Sequence, residues 1–511
     1  MGAGSGRVLV IGLELGDGSL LRAWSDAGLL PSFRRLSDAG CFGWLATTAD
    51  DLHISAWPSI YTGAAPGDHG VYFTFQPAPG VQGYRRFHEG IYGRTTFWNL
   101  LDRAGRRCVV LDPPYSHAEP GFGGSYIHDW GTWAHYLQTG SVPETLLPRL
   151  EKACGCYPLG LEANDLGFSP LDPEDTGRRL VKSVEAKTEA TRWLMRNEAW
   201  DLLFTVFGET HVAGHYCWSA GLAGDFRDLA SPMFQVYAAL DRAIGRLRDE
   251  AGPEATVVVI SGDRCGPNFA GWHLLPEVLT RLGYSGGAAQ GDETSGAPAP
   301  SKRFDPVKAL RDLLPKDFRK SLARRLPTRL RDKLAQRVDT ADIDWSRTRA
   351  FCLPTDLEGY IRINLRGREP QGIVAPGEEY RAILRDLSGA LMELCDSVTG
   401  AGIVRKVLLA DEAFPGDRRS LLPDLIVQWE AAGPIRGVSS ARIGVVAGDS
   451  PDPRSGTHRG PGFVMAAGPG IAAGARLDGA GILDFAPTLL TRMGVAVPET
   501  MRGRVWRDMT E

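Results

Sequence analysis

The sequence has few cysteines, little net charge and no long hydrophobic run, and each absence excludes a class of protein. The eight cysteines among 511 residues are scattered singly, apart from Cys154 and Cys156, which argues against a disulfide framework or a structural zinc ribbon and favours a reducing compartment. The net charge of −4 lacks the basic excess of nucleic-acid-binding proteins. The first apolar run breaks at Glu14, and no later run reaches membrane-spanning length. We therefore expect a cytoplasmic protein with neither a membrane nor a nucleic-acid polymer as partner.

Short apolar runs alternate with amphipathic helical stretches along the chain. A helix predicted over residues 19–39 is interrupted at Pro31. Continuous apolar strands separated by helices are typical of a parallel sheet that is buried on both faces. The sequence therefore predicts an α/β fold with a largely parallel central sheet, helices on both faces and a cap formed by insertions. The predicted strands are residues 7–13, 108–112, 201–208, 256–261, 424–429 and 462–468.

The predicted domain organisation is a single domain over residues 1–511 with two insertions. Residues 75–200 are expected to be partly cap or insertion. Residues 283–340 begin with a stretch rich in Gly, Ala, Ser and Pro, which predicts a mobile loop, and continue with a basic, leucine-punctuated helical insertion. That basic segment is interpreted as a lid or packing arm, with contact to an anionic substrate or partner as the alternative.

Two histidines follow one of the predicted strands at helical spacing. His211 and His215 are four residues apart, so both imidazoles point from the same helix face. His458 lies in a glycine-rich loop just before another strand. Three histidines at strand ends can hold a metal ion with an open position for water or substrate, as in catalytic zinc sites. The alternative is that all three are ordinary hydrogen-bonded histidines.

A second polar group follows other strands of the predicted sheet. Glu14 follows the first strand, Asp263 follows residues 256–261, and His53 lies in a loop before a predicted helix. Ligands of parallel sheets bind beyond the carboxyl ends of the strands, so these side chains are candidates to bind a second ion or to handle protons. Each also has a structural interpretation, as a helix cap, a turn former or a loop histidine.

Several ordered stretches resemble the alkaline phosphatase superfamily, and more closely its type I phosphodiesterase/nucleotide pyrophosphatase branch. They include VLVIGLELGDGSLL, SAWPSIYTGAAPGDHGVY, FGETHVAGHYCW and GTHRGPGFVMAAGPGI. The resemblance implies a two-metal hydrolase fold, usually with zinc. In that family an Asp, a Thr or Ser nucleophile and an Asp-His pair hold one ion, and an Asp-x-x-x-His pair with a distal His holds the other.

The sequence departs from the family pattern at the first of these two sites. Glu14 stands at the first Asp, one methylene longer but still able to coordinate, and His53 occupies the position of the nucleophile. Gly262 and Asp263 align with the Asp-His pair, although a shift of one residue would keep Asp263 as a ligand. The missing hydroxyl argues against a covalent intermediate, unless Ser55 replaces it or His53 forms a phospho-imidazole.

The second of the two sites is better preserved. His215 and His458 match the family pattern, and His211 replaces the Asp of the Asp-x-x-x-His pair. The resulting set of three neutral imidazoles would leave a bound ion its full positive charge and favour a metal-activated water.

We therefore predict a metal-dependent hydrolase or transferase that acts at a phosphoester-like bond of a small molecule, such as a phosphodiester or nucleotide. The cofactor is expected to be one or two divalent ions, with zinc first and iron or manganese as alternatives. Asn268 and His273 are candidates for substrate binding. A non-hydrolytic metalloenzyme (lyase, group transfer or oxidation) and a non-catalytic family member are the alternative functions. The sequence specifies neither the substrate nor the oligomeric state.

Overall fold

The computed structural model describes residues 6–86, 92–131, 139–159, 171–218, 228–286 and 343–510. Apart from residues 283–286, the predicted mobile loop and basic insertion at 283–340 lie outside the described residues. The chain divides into two compact units. The first comprises the described residues of 1–72, 88–268 and 452–511, and the second those of 73–87 and 269–451. The predicted single domain stays a prediction.

The described residues form helices and strands that alternate along the chain. The strands are β1 (Val8–Leu13), β2 (Cys41–Leu45), β3 (Phe75–Gln76), β4 (Arg85–Arg86), β5 (Cys108–Leu111), β6 (Ser125–His128), β7 (Gly140–Val142), β8 (Leu202–Phe207), β9 (Thr256–Ser261), β10 (Arg264–Pro267), β11 (Ala350–Cys352), β12 (Gly359–Ile363), β13 (Cys395–Asp396), β14 (Val404–Leu409), β15 (Leu425–Trp429), β16 (Gly437–Ser440), β17 (Gly444–Ala447), β18 (Gly456–Arg459), β19 (Gly462–Ala467) and β20 (Ala475–Arg476). The helices are α1 (Gly18–Asp26), α2 (Pro31–Ala39), α3 (Ala56–Thr62), α4 (Pro66–His69), α5 (Phe97–Arg103), α6 (Leu146–Cys154), α7 (Pro173–Asn197), α8 (Glu209–Tyr216), α9 (Pro232–Ala251), α10 (Leu275–Arg281), α11 (Glu378–Met392), α12 (Ala410–Ala413) and α13 (Phe485–Arg492).

The first unit is built on a nine-stranded sheet in the order β20-β2-β19-β9-β1-β8-β5-β6-β7. From β9 to β6 all neighbouring strands are parallel. Strand β19 runs antiparallel to both of its neighbours, and β7 runs antiparallel to β6. The predicted largely parallel central sheet is therefore confirmed.

Both faces of this sheet are covered, as strand β1 shows. Leu9, Ile11 and Leu13 belong to a core that includes residues of α1, α2, α7 and α9. Val8 and Val10 belong to the core on the other face, with residues of α3, α5 and α13. Because successive side chains of a strand point to opposite faces, a strand covered on both sides is apolar throughout. This burial explains why β1 is a continuous apolar run, and it confirms helices on both faces.

The helices begin where the sequence provides their caps. The side chain of Asp172 accepts a hydrogen bond from the backbone N–H of Asp175, and Pro173 occupies the first helical position of α7. Ser231 caps α9 in the same way, again followed by a proline. The predicted helix over 19–39 is two helices, α1 and α2, because Pro31 starts the second one.

One part of the sequence-based assignment was wrong. Residues 424–429 were expected in the parallel sheet, but β15 lies in the second unit and runs antiparallel to β12 and β14. Its buried central position gives the same apolar run as a parallel strand, so the pattern alone cannot distinguish the two. Within residues 75–200, only part of which is the predicted cap, residues 97–128 contribute α5 to the first unit and β5 and β6 to its sheet; the cap itself stays a prediction.

The second unit contains antiparallel sheets. Its largest sheet has the order β11-β12-β15-β14, accompanied by a three-stranded sheet, β13-β16-β17, and the β3-β4 pair. Buried ion pairs join Arg362 to Glu369 at 2.8 Å and Arg368 to Asp424 at 2.6 Å. Asp424 also accepts hydrogen bonds from Tyr380 and from the backbone of Ile363, so this network crosslinks neighbouring strands.

The eight cysteines all lie among the described residues, and none forms a disulfide. Among these residues, none of the helices combines the length and the apolar character that crossing a bilayer requires. The predicted compartment stays a prediction.

Candidate metal centre

Helix α8 starts directly beyond strand β8 and carries two of the candidate ligands. The Thr210 hydroxyl donates to the carbonyl of Glu14 at 2.6 Å and lies 3.1 Å from that of Phe207. These contacts fix the first turn of the helix to the ends of β1 and β8. His211 and His215 share one helix face, with ring centroids 4.5 Å apart. The spacing in the sequence thus translates into two adjacent imidazoles at the carboxyl edge of the sheet.

His458 reaches the same place from a distant part of the chain. It lies on β18, which pairs antiparallel with β10, and Cys265 is its register partner. The His458 ring centroid is 5.0 Å from that of His211 and 5.1 Å from that of His215. Candidate ligand atoms of the three residues lie within 4.8 Å of one another, and all three side chains are buried. The structure therefore brings the three histidines together, and we call them the histidine cluster.

The Nδ1 atom of each ring in the histidine cluster faces an oxygen. His215 Nδ1 donates to the Gly456 carbonyl at 2.8 Å. His458 Nδ1 lies 2.6 Å from Asp263 Oδ2, and His211 Nδ1 lies 3.3 Å from Glu14 Oε1. Metal-binding histidines commonly carry such partners, which fix the tautomer and the ring orientation. The arrangement makes Nε2 the nitrogen that each ring would offer to an ion.

The electrostatics of the cluster favour neutral imidazole, the form that binds metals. Burial holds the pKa of His211 well below its usual range. The neighbouring rings of His215 and His458, the guanidinium of Arg454 and the ring of His53 lower it further, in that order. Burial and its neighbours thus hold His211 in the form that can accept a cation.

His53 lies beside the histidine cluster. It begins a short 3₁₀ turn, His53–Ser55, that leads into α3. Its ring centroid is 4.9 Å from that of His458, and its side chain is buried. The structure therefore brings this candidate to the site, although His53 is not among the three residues whose ligand atoms converge.

Ser55 has other partners. Its hydroxyl donates to the Leu52 carbonyl at 2.5 Å and lies 2.7 Å from the Thr48 hydroxyl. It makes no side-chain cap for α3. Both contacts lie within the loop that precedes α3, so the geometry does not favour Ser55 as the nucleophile.

The two candidates for substrate binding lie in different units. The Asn268 amide donates to Asp452 at 2.9 Å and to the Arg454 carbonyl at 3.1 Å, so it stabilises the loop before β18. His273 lies in the second unit, where Nε2 donates to the Gly448 carbonyl at 3.0 Å and burial lowers its pKa. Contact of either residue with a substrate stays a prediction.

Sequence reasoning missed Arg454, whose positive charge acts on His211. Asp452 holds this guanidinium through two hydrogen bonds of 2.8 and 2.6 Å, and the Arg454 side chain is only 8% exposed. The signal was its position, since Arg454 stands four residues before His458 in the stretch DPRSGTH.

A second buried polar group, also missed, adjoins the start of α8. Lys187 Nζ lies 3.0 Å from Asp112 Oδ2 and donates to the Val206 and Gly131 carbonyls at 2.9 and 3.1 Å. The Tyr157 hydroxyl donates to Glu209 Oε1 at 2.8 Å. Burial raises the pKa of Glu209, and Lys187 opposes that rise. We call Asp112, Tyr157, Lys187 and Glu209 the lysine cluster. Its only signal in the sequence was a lysine on the inner face of α7.

The model of the type I phosphodiesterase/nucleotide pyrophosphatase family matches residues 8–264, which is half of the chain. The chain belongs to this family. Its members are phosphoester hydrolases that act on small molecules such as nucleotides, and they generally depend on divalent metal ions, typically zinc. The match spans β1 to β10, and so includes His53, His211, His215 and Asp263, while His458 lies beyond it.

Solved structures with the same fold cover almost the entire chain. Murine ectonucleotide pyrophosphatase/phosphodiesterase 5, in an inactive form in complex with AMP, shares 13% identity over 96% of both chains, with a TM-score of 0.51. Phosphonoacetate hydrolase from Sinorhizobium meliloti 1021 in complex with phosphonoacetate shares 13% identity over 94% of both chains, also with a TM-score of 0.51. Identity this low shows the fold alone. A search of curated proteins finds no match.

Proposed function

We propose that this phosphoester hydrolase uses a divalent metal ion held by His211, His215 and His458. The observation that carries the proposal is the convergence of three buried imidazoles, with candidate ligand atoms within 4.8 Å of one another. Three histidines with an open fourth position are a donor set typical of catalytic zinc. Zinc is therefore the first candidate, and the same donors accept iron or manganese.

The groups around the three imidazoles also suit a bound ion. Hydrogen bonds at Nδ1 orient the rings of His215 and His458 before any ion arrives, and Glu14 lies 3.3 Å from Nδ1 of His211. When bound, a divalent ion acidifies water and offsets the negative charge of phosphoryl oxygens. The residues of the chain itself hold these rings in place, and burial favours the neutral form of His211.

Water is the nucleophile that this arrangement supports best. The residue at the family's nucleophile position is His53, and the Ser55 hydroxyl is engaged with Leu52 and Thr48. His53 lies with its ring centroid 4.9 Å from that of His458. We assign to His53 the acceptance of the proton that an attacking water loses, at an imidazole nitrogen.

The substrate we propose is a small anion with a phosphoester bond, such as a phosphodiester or nucleotide. Membership of the family supports this class, and proteins of the same fold have been solved with AMP and with phosphonoacetate. The positive charge of Arg454 near His211 suits an anionic ligand.

The test is metal analysis of the purified protein combined with assays on an aryl phosphodiester, an aryl phosphate and a nucleotide. His215→Ala should reduce bound metal to less than about a tenth of an equivalent and lower kcat by about 10²–10³-fold or more, because the ion supplies the charge stabilisation. His273→Ala, a histidine of the second unit, is the matched control and should retain metal. Full metal and full activity in His215→Ala would refute the proposal.

A non-hydrolytic metalloenzyme is the second candidate, favoured by the all-imidazole ligand set. Neutral nitrogen donors also suit iron, copper and manganese. Near-stoichiometric redox-active metal in a protein that is inert towards all three phosphoesters would favour this function. Absence of metal together with inert phosphoesters would instead indicate a non-catalytic family member.

A further inference from the structure

We infer that the centre takes a single ion, and that Glu14 and Asp263 orient two of its histidine ligands instead of binding a second ion. The inference rests on the proposed function, because it requires an ion at His211, His215 and His458. It concerns the carboxylates that sequence analysis assigned to a second metal site. Three contacts and one packing constraint carry it.

The first contact joins Asp263 to His458. The Asp263 Oδ2 atom lies 2.6 Å from His458 Nδ1, and both side chains are buried, with 6% and 8% exposure. A carboxylate accepts from an N–H donor at this distance in a short, charge-assisted hydrogen bond. The proton then resides on Nδ1, so Nε2 carries the lone pair that coordinates a metal.

The second contact places Glu14 within ion-pair distance of His211, without the hydrogen bond that joins Asp263 to His458. Glu14 Oε1 lies 3.3 Å from His211 Nδ1, and both side chains are 4% exposed. The backbone of Glu14 is fixed at the sheet edge, since its N–H donates to the Phe207 carbonyl and its carbonyl accepts from Thr210. The carboxylate thus faces a nitrogen of the first ligand from a rigid position.

The third histidine completes the pattern. His215 Nδ1 donates to the Gly456 carbonyl at 2.8 Å. All three rings therefore direct Nδ1 to an oxygen supplied by a different element, and direct Nε2 away from it. A carboxylate engaged in orienting a ring is the outer partner of a metal-bound histidine, a role distinct from that of a ligand.

The packing around Gly262 leaves no room for a side chain at this position. A Cβ atom on this residue would lie 2.9 Å from Ala56 Cβ and 3.2 Å from Ile60 Cδ1. Both neighbours belong to α3, which is buried throughout. A second ion would therefore have to bind without a side chain from position 262, while Glu14 and Asp263 already contact ring nitrogens.

The experiment measures metal stoichiometry and affinity, independently of activity. Metal-free protein is titrated with Zn²⁺ against a chromophoric chelator, and bound zinc is counted by mass spectrometry after desalting. The wild type should bind one equivalent. Asp263→Asn and Glu14→Gln should still bind one equivalent but about 10–100-fold more weakly, because outer partners of metal-bound histidines have effects of this size.

Two comparisons separate positioning from folding. Asp263→Ala, which removes the acceptor entirely, should weaken binding more than Asp263→Asn, and Asp38→Asn on the exposed end of α2 should leave affinity unchanged. Thermal unfolding of the metal-free variants shows whether each one is folded. If a carboxylate variant does not fold, the wild-type stoichiometry still decides between one ion and two.

The outcomes distinguish this inference from the proposed function. Two equivalents in the wild type that fall to one in Asp263→Asn or Glu14→Gln would overturn the single-ion centre and leave the hydrolase proposal intact. One equivalent in a protein inert towards phosphoesters would support the single-ion centre and overturn the hydrolase proposal. A wild type that binds no zinc would overturn both.

Discussion

Two buried polar clusters meet at the start of α8, where Glu209 belongs to one and His211 to the other. In the lysine cluster the Lys187 ammonium faces the Asp112 carboxylate at 3.0 Å and two backbone carbonyls. In the histidine cluster three imidazole rings lie next to each other, with ring centroids 4.5 to 5.1 Å apart. The lysine cluster joins opposite charges within the chain, whereas the histidine cluster joins three side chains of the same kind.

This difference assigns the two clusters different tasks. A buried charge is tolerated only when it is paired and hydrogen-bonded, and Lys187 meets both conditions while holding the carbonyl of Val206, the penultimate residue of β8. The lysine cluster therefore fixes the strand end from which α8 departs. In the histidine cluster His211 stays neutral, since burial and its neighbours hold its pKa well below its usual range.

The largest effect on stability should come from breaking the lysine cluster. Lys187→Met leaves the buried Asp112 without its cation, and removing one partner of a buried pair typically costs about 3–5 kcal/mol. Both side chains are fully buried, so solvent does not screen the pair. The free energy of unfolding in urea measures the change. The double variant Lys187→Met/Asp112→Asn should lose less free energy of unfolding than Lys187→Met alone. A loss of free energy below about 1 kcal/mol in Lys187→Met would contradict the comparison.

A smaller effect should follow from acidifying the metal-free protein, because the histidine cluster must stay neutral. The pKa of His211 is lowered on folding from an ordinary value of 6.5, so the unfolded chain binds the proton more readily than the folded one. Stability is therefore fully present above about pH 6.5 and is lost as the pH falls below that value. Thermal unfolding between pH 8 and pH 5 should show this decline.

His211→Gln is the control for this pH dependence, since glutamine does not titrate. The unfolding temperature of the metal-free variant should fall less between pH 8 and pH 5 than that of the wild type. An identical decline in both proteins would assign the pH dependence to other groups and remove the electrostatic contrast between the two clusters.

The sequence predicted which segments form strands better than it predicted which strands lie next to each other. Strands β1, β8, β9 and β19 are buried on both faces, so their apolar runs stand out against the polar helices between them. The run at 424–429 looked the same, but an apolar run does not encode which strand lies beside it. The assignment of β15 to the second unit depends on long-range pairing, which one sequence does not reveal.

The candidate site was predictable where candidate ligands are spaced four residues apart on a helix that follows a strand. His211 and His215 share a face by periodicity, and His458 was found because it precedes a buried strand. Two partners of these rings, Glu14 and Asp263, were among the predicted site residues, but other contacts of the two clusters were not predictable. One is the backbone carbonyl of Gly456 beside His215, a group that every residue has. Another is the Lys187–Asp112 pair, which joins two elements far apart in the chain. Such contacts depend on the tertiary packing at the edge of the sheet, which local sequence patterns do not reveal.

The smallest effect should come from an ion pair that differs from the lysine cluster in burial. Asp38 and Arg34 lie four residues apart on α2, 2.8 Å from each other, but their side chains are 59% and 47% exposed. Water and salt screen such a pair, so Asp38→Ala should change the free energy of unfolding by less than about 0.5 kcal/mol. Urea unfolding at low and at high salt measures this change in free energy, and Lys187→Met is measured in parallel for comparison. A loss comparable to that of Lys187→Met would mean that pairing itself stabilises the fold, and burial would no longer explain why the lysine cluster matters.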